Sequence, residues 1–370
     1  MTDQIPLAKP EIGTREEELI LEVLRSGRLS LGPMAERFER DFAAWLGVED
    51  AVAVSSGTTA LHLGVRALGW GEEDEVLTSP FSFVASANCL LYEGARPVFC
   101  DVDPVTLDLD PVAVEAAAGE RSAGILPVHI FGFPAAMPEL EAIVAKRGLG
   151  ILEDACEALG AVDSEGRRVG ARGNLATFAF YANKQLTTGE GGMIVPTDAA
   201  VAARLRSERN QGRAADMGWL DHGGLGFNYR LSDLAAALGV AQLEKLDTML
   251  ARREAVASLY AEGLAEIEGV TAPLAARGAE RRSWFVYPVR LGDEFDRDAV
   301  VARLAARGVA SKAYLPCIHL FPHLRELGYR EGQFPVAEAA SAQSLALPFF
   351  PAMGEAQVGR VCESLAESLR

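Results

Sequence analysis

Cysteine is scarce: the chain of 370 residues has five, and Cys89, Cys100, Cys156, Cys317 and Cys362 stand without paired spacing. That scatter excludes a disulfide framework and a zinc ribbon, and makes a reducing cytoplasm the expected compartment. Basic charge is also short, with 35 Lys and Arg against 52 Asp and Glu, a formal net charge of −17. Such a surface repels a phosphate backbone, so long nucleic acid is excluded as a partner. No uninterrupted apolar run reaches bilayer-spanning length, which argues against a membrane helix. The segment 1–13 lacks a basic stretch followed by an apolar core, so secretion has no support. Neither GxGxxG nor GxxxxGK[ST] occurs, which disfavours dinucleotide and nucleoside-triphosphate loops.

What is present describes an enzyme-sized α/β protein. At 49% hydrophobic residues the chain can bury a sizeable core. From 51 to 196 short apolar runs alternate with amphipathic stretches, the pattern of a sheet covered by helices. Strands are expected over 51–55, 75–79, 97–102, 123–128, 150–154, 176–181 and 192–195. Helices are expected over 60–68, 84–92, 112–118 and 137–146, with Asp110 capping a helix whose first turn holds Pro111. Two earlier helices, 15–26 and 34–46, close at Gly27 and Gly47 and dock on the sheet or on a partner subunit. A long helical pattern over 231–262 leads into a smaller α/β region with a strand over 285–291 and a helix over 298–307. The domain boundary is placed near Leu246, inside that helix, dividing 1–245 from 246–370.

Three segments carry chemistry. Lys184 follows a buried-looking strand and precedes Gly189-Glu190-Gly191-Gly192. Held at a core edge, its amine can attack an aldehyde; most lysines in loops are merely solvated, so the neighbours decide. Asp154 ends an apolar strand, where a carboxylate points into the ligand crevice of such folds. There it can keep a pyridine nitrogen protonated, as an electron-sink cofactor requires; strand-end acids also cap helices or bind magnesium. Ser56-Gly57-Thr58-Thr59 runs from a strand into a helix whose first-turn N–H groups and hydroxyls can receive a phosphate, although by itself it is also an ordinary cap.

Taken together, these segments resemble the DegT/DnrJ/EryC1/StrS family of pyridoxal-phosphate sugar aminotransferases, over essentially the full length. The likeness rests on four stretches: Ser56 to Leu61, Glu153 to Gly160, Phe180 to Gly192 and Gly226 to Asp233. The resemblance implies a fold-type-I large domain with a mixed, mostly parallel sheet and a smaller C-terminal α/β domain. It implies Lys184 as the Schiff-base lysine and Asp154 as the pyridinium partner. Ser56, Gly57 and Thr58 would form the phosphate turn, and Asn228 would reach the cofactor phosphate of a second subunit in a homodimer. Phe83 would stack on the cofactor; its alternative is a core phenylalanine. Glu157 stands where many members have Gln or His beside the phenolic oxygen, and Ala179 stands where many have a phosphate-binding serine. Tyr314, His319 and Arg230 are candidate substrate contacts. The implied reaction moves an amino group from an amino acid, glutamate first, to a nucleotide-linked 4-keto or 3-keto hexose. Its rivals are a sugar dehydratase, whose members carry histidine in place of the lysine, and a non-catalytic regulator.

No metal site is expected. His319 and His323 are four apart, but Pro322 interrupts the helix that would align them. His62, His129 and His222 lack ligand partners and are expected to be structural.

Overall fold

The structure, a computed structural model, describes residues 4–214 and 221–370. Its main sheet has seven strands: β1 (Val52–Val54), β2 (Glu75–Thr78), β3 (Arg96–Phe99), β4 (Ser122–Leu126), β5 (Gly150–Asp154), β6 (Leu175–Ala179) and β7 (Gly192–Val195). They lie in the order β1-β7-β6-β5-β4-β2-β3. Every pair that excludes β7 is parallel, and β7 runs against both neighbours. Parallel neighbours need long crossovers. Among the connections, α4 (Ala85–Leu91) joins β2 to β3, α5 (Pro111–Ala117) joins β3 to β4 and α6 (Met137–Arg147) joins β4 to β5, while α3 (Gly57–Leu68) leads from β1 to β2. Asp110 accepts the Val112 N–H at 2.9 Å, the cap its sequence position predicts.

Alternation along each strand divides the core. Val52 and Val54 pack on one face with Leu61, Val65 and Leu152, while Ala51 and Ala53 pack on the other with Phe38, Phe42 and Phe178. The first two helices, α1 (Thr14–Ser26) and α2 (Pro33–Leu46), dock on that second face. Phe42 meets Phe178 edge-on at 5.3 Å between ring centroids, and Phe38 meets Phe180 at 5.4 Å.

Beyond β7, α7 (Ala199–Arg209) precedes the expected long helix, which is two helices, α8 (Asp233–Glu244) and α9 (Leu246–Leu264). The backbone breaks at Lys245, with φ −116° and ψ 8°. No glycine or proline marks the break. Instead the Lys245 ammonium reaches Glu16 Oε1 at 2.7 Å and the Glu11 carbonyl at 2.9 Å, so long-range anchors override a continuous helical pattern. α8 packs on α1 and α2, whereas α9 packs on the last helix of the chain.

The C-terminal part holds a small sheet. Its strands are β8 (Val270–Thr271), β11 (Tyr287–Leu291), β12 (Lys312–Ala313) and β13 (Ser344–Leu347), in the antiparallel order β12-β13-β11-β8. A separate hairpin pairs β9 (Ala276–Arg277) with β10 (Glu280–Arg281). Around the small sheet lie α10 (Arg297–Ala306), α11 (Pro322–Arg325), α12 (Pro335–Gln343) and α13 (Glu355–Ser368). Strand β11 begins two residues later than expected, because the carbonyls of Trp284 and Phe285 accept from Arg253 instead of joining the sheet. Near the other chain end, Ile5 is buried in this C-terminal core and forms a parallel bridge with Val309.

Candidate active site

β6 stops at Ala179 and β7 starts at Gly192, and the loop between them carries Lys184. The loop is closed by its own backbone. Phe180 N–H donates to Gly191 O at 2.9 Å, Thr188 N–H to Phe180 O at 2.9 Å and Lys184 N–H to Tyr181 O at 3.0 Å. It is also held from below. Gln185 Nε2 donates to the Glu157 carbonyl at 2.7 Å, and Arg253 Nη2 donates to the Lys184 carbonyl at 3.3 Å. With its backbone fixed in this way, the lysine places Nζ 3.6 Å from Glu157 Oε1 and 4.1 Å from the Phe285 ring centroid.

Asp154 is the last residue of β5 and is 4% exposed. Its N–H donates to Pro127 O, and its carbonyl accepts from His129 N–H. The carboxylate accepts the Ser86 hydroxyl at 2.8 Å on Oδ2 and the Cys156 N–H at 3.1 Å on Oδ1. The Ser82 hydroxyl lies 2.7 Å from Ser86 Oγ. Cys156 follows the acid, and Glu157 after it lies 3.6 Å from Lys184 Nζ, so the short segment 154–157 reaches both; burial pushes the Cys156 thiol well up and Asp154 adds to the rise, while Lys184 opposes it. The two expected chemical groups therefore face one region.

Glu157 completes this cluster. Its Oε2 accepts the Phe131 N–H at 2.8 Å. Burial raises its acid pKa and Asp154 adds to the rise, while Lys184 and the Phe131 N–H oppose it. Phe131 sits at φ 52°, a left-handed conformation that costs a non-glycine residue roughly 1–2 kcal/mol. Arg282 holds it there, donating from Nη1 to Phe131 O at 2.7 Å. Burial pulls the Arg282 guanidinium down to about 10. At the next position only glycine fits, since a Cβ on Gly132 would run into the Ser283 carbonyl.

The expected phosphate turn, 56–58, lies over the same strand ends. A Cβ at Gly57 would stand 2.6 Å from the Ala179 Cβ and 3.1 Å from Cys156 Sγ, so α3 begins in direct contact with the ends of β5 and β6. Ser56 caps α3: its Oγ accepts the Thr59 N–H at 3.1 Å, and its own N–H donates to Thr59 Oγ1 at 3.0 Å. The Ser56 hydroxyl, expected to face a phosphate, is thus engaged in a capping box. Gly57 and Thr58 remain as first-turn N–H groups without an intrahelical acceptor.

Phe83 is 61% exposed, which excludes the core alternative. Tyr314 is brought to the cluster. Its ring lies 5.8 Å from that of Phe131 and 6.2 Å from that of Phe285, and burial raises its phenol pKa, with Glu157 adding to the rise. Asn183 Oδ1 is buried without a partner among the described residues. Two other expected contacts lie elsewhere. His319 is fully buried, edge-on to Phe334 at 4.8 Å, with Nε2 3.2 Å from Glu338 Oε1. In place of a substrate contact, the geometry gives it a packing role joining the 318–320 turn to α12. Arg230 donates to Asn210 Oδ1 at 2.9 Å, bracing the chain beside α7. Asn228 is exposed in the same segment, whose Phe227 and Tyr229 rings stack at 4.9 Å and lean on His62. Among the described residues no group of three or more His, Cys, Asp or Glu could hold a metal ion.

Ser82, Ser86, Phe131, Arg253, Arg282 and Phe285 were not anticipated. The two serines carried a signal, an i,i+4 pair at a helix start next to the Phe83 motif. Arg253 and Arg282 carried none, because each acts on a loop far away in sequence.

The test for a pyridoxal-phosphate site is whether these residues suit a phosphorylated aromatic aldehyde. A floor crowded at Gly57, a buried acid at the end of β5 and an amine 3.6 Å from Glu157 just beyond it all fit such a group. Fold and site together define a pyridoxal-phosphate-dependent aminotransferase. The chain belongs to the DegT/DnrJ/EryC1/StrS aminotransferase family, whose profile matches residues 10–366. It is 38% identical to GDP-perosamine synthase of Caulobacter vibrioides, over 99% of this chain and 98% of that protein. It is 35% identical to the spore coat polysaccharide biosynthesis protein SpsC of Bacillus subtilis, over 99% of this chain and 97% of the relative. Among solved structures, S. venezuelae DesV in complex with a ketimine intermediate superposes with a TM-score of 0.91 at 37% identity, covering 96% of this chain and 94% of that one.

Proposed function

We propose that the chain transfers an amino group from L-glutamate to a nucleotide-linked 4-keto or 3-keto hexose, with pyridoxal 5'-phosphate as cofactor, in the building of an amino sugar. The observation that carries this reading is that Asp154 ends β5 three residues before Glu157, whose Oε1 lies 3.6 Å from Lys184 Nζ in the loop after the neighbouring β6. The names of two relatives, a GDP-perosamine synthase and a spore coat polysaccharide protein, support the sugar acceptor.

When bound, the cofactor supplies an aldehyde carbon for the amine and a ring that accepts the electron pair released at the substrate carbon. The chain's residues do the rest. Lys184 would hold the aldehyde carbon through Nζ and would move a proton from that nitrogen. Asp154, oriented by Ser86, would hold positive charge on the ring nitrogen. The Gly57 and Thr58 N–H groups would receive the phosphate at the positive end of α3. Phe83 would stack on the ring, and Tyr314 would contact the substrate.

In this reading the working unit is a cytoplasmic homodimer, with Asn228 completing the partner's site. The exposure of Phe83 at 61%, Tyr181 at 52% and Leu225 at 73% supports a covering subunit. The break at Lys245 supports a division between 1–245 and 246–370.

The test is incubation of the purified chain with pyridoxal phosphate and L-glutamate. Conversion of the absorption band to that of the pyridoxamine form, with release of 2-oxoglutarate, is expected. Lys184→Ala should abolish both; retained turnover with an unchanged band rejects the assignment.

A further inference from the structure

We propose that Glu157 is a proton store for Lys184: an ionised counter-ion while the lysine is a free ammonium, and a neutral acid once the lysine nitrogen is bonded to a carbonyl carbon. The second state rests on the Schiff-base reading above; the pairing does not.

Glu157 Oε1 lies 3.6 Å from Lys184 Nζ, with side-chain exposures of 7% and 13%. Among the described residues one hydrogen bond reaches the carboxylate, from the Phe131 N–H to Oε2 at 2.8 Å. The other charged and titratable groups that face it are Asp154, Arg282 and Tyr314. Asp154 is a like charge and favours the neutral acid. Arg282 is cationic, but its guanidinium donates to the carbonyls of Phe131 and Leu274. Tyr314 is held neutral by burial. Lys184 is thus the cation closest to the Glu157 carboxylate, and burial already pushes that acid's pKa up against it.

Bond formation removes that cation. An ammonium can attack a carbonyl carbon only after losing a proton, and Glu157 Oε1, 3.6 Å away, is the carboxylate oxygen paired with it. The amine lone pair then forms the C–N bond, and the carbonyl oxygen leaves as water with the two remaining nitrogen protons. The balance is one ammonium, one carboxylate and one aldehyde giving one imine, one carboxylic acid and one water. No charge stays uncompensated, whereas an ionised Glu157 without its cation would be a buried lone anion, which proteins avoid by neutralising the group. A glutamine at this position could neither take nor keep the proton.

Infrared difference spectra of the full-length chain at neutral pH test this. Lys184→Ala, without cofactor, should gain the absorption of one undissociated carboxyl group per chain, and Lys184→Ala/Glu157→Gln should lack it. Lys184→Met does the same job if the alanine variant does not fold. Adding pyridoxal phosphate to the native chain should raise the same band. Absence of a Glu157-dependent band in both lysine variants overturns the proposal, as does cofactor uptake by the native chain without the band. A lysine variant that shows the band, beside a native chain whose visible spectrum ignores pyridoxal phosphate, refutes the cofactor reading alone and supports the proton coupling.

Discussion

The Ser86 hydroxyl donates to Asp154 Oδ2 at 2.8 Å and thereby ties the first turn of α4 to the end of β5. Ser82 backs this bond from 2.7 Å, so a short hydroxyl chain ends on the acid assigned to the ring nitrogen. A hydrogen bond to a charged group is worth about 1.5–3 kcal/mol.

Ser86→Ala should therefore cost about 1.5–3 kcal/mol of folding stability and, with Asp154 no longer oriented, also weaken pyridoxal-phosphate binding. Spectrophotometric titration beside a thermal melt separates the two effects. An affinity that holds while the melt falls would assign Ser86 to packing alone.

Gly57→Ala places a methyl group 2.6 Å from the Ala179 Cβ. Overpacking of this kind costs about 1–3 kcal/mol, and the displaced helix start should loosen the phosphate. Ala179→Gly, combined with it, should recover part of both losses. A single Gly57→Ala protein with native stability and affinity would contradict the close approach.

Arg253 is almost fully buried and burial lowers its guanidinium pKa to about 10, yet it donates to the carbonyls of Lys184, Trp284 and Phe285. Arg253→Met leaves these acceptors unpaired and should cost about 3 kcal/mol or more in urea unfolding. Arg253→Lys should restore less than half, because an ammonium lacks the planar fork.

Glu16 joins α1 to α8. Burial favours its neutral form, but hydrogen bonds from Lys245 and Gln242 prevail and hold its acid below the usual carboxylate range. With the folded value lower than the unfolded one, the stabilisation is full above the ordinary glutamate pKa and is lost as pH falls through the depressed value. Glu16→Gln should accordingly destabilise the chain at neutral pH and flatten its acid-side decline. Parallel stability curves for the two proteins would show that the contact contributes nothing.

Much of the fold was legible because its signals are local. The strands around β5 and β6 follow from short apolar runs, and Asp110 with Pro111 marks a helix start. Lys184, Asp154 and Gly57 could be found because each sits within a few residues of a strand end. Ser86, Phe131, Arg253 and Arg282 could not be assigned, since their partners lie on segments remote in sequence. His319 shows the opposite failure: its local motif suggested a ligand contact, but only packing against Phe99 and Phe334 decides that the ring is enclosed. The 231–262 pattern likewise says nothing of the bend at Lys245, which depends on Glu11 and Glu16.

The pairing of Ile5 with Val309 joins residues that leave the ribosome far apart in time. Ile5 N–H donates to Gly308 O and Ala310 N–H to Ile5 O, so the edge they form stays open until most of the polypeptide has been made. The C-terminal layer cannot mature as an autonomous fragment with this edge satisfied. Clipping by a protease ahead of the first helix would weaken packing at the far end of the chain while leaving every motif of the reaction centre in place.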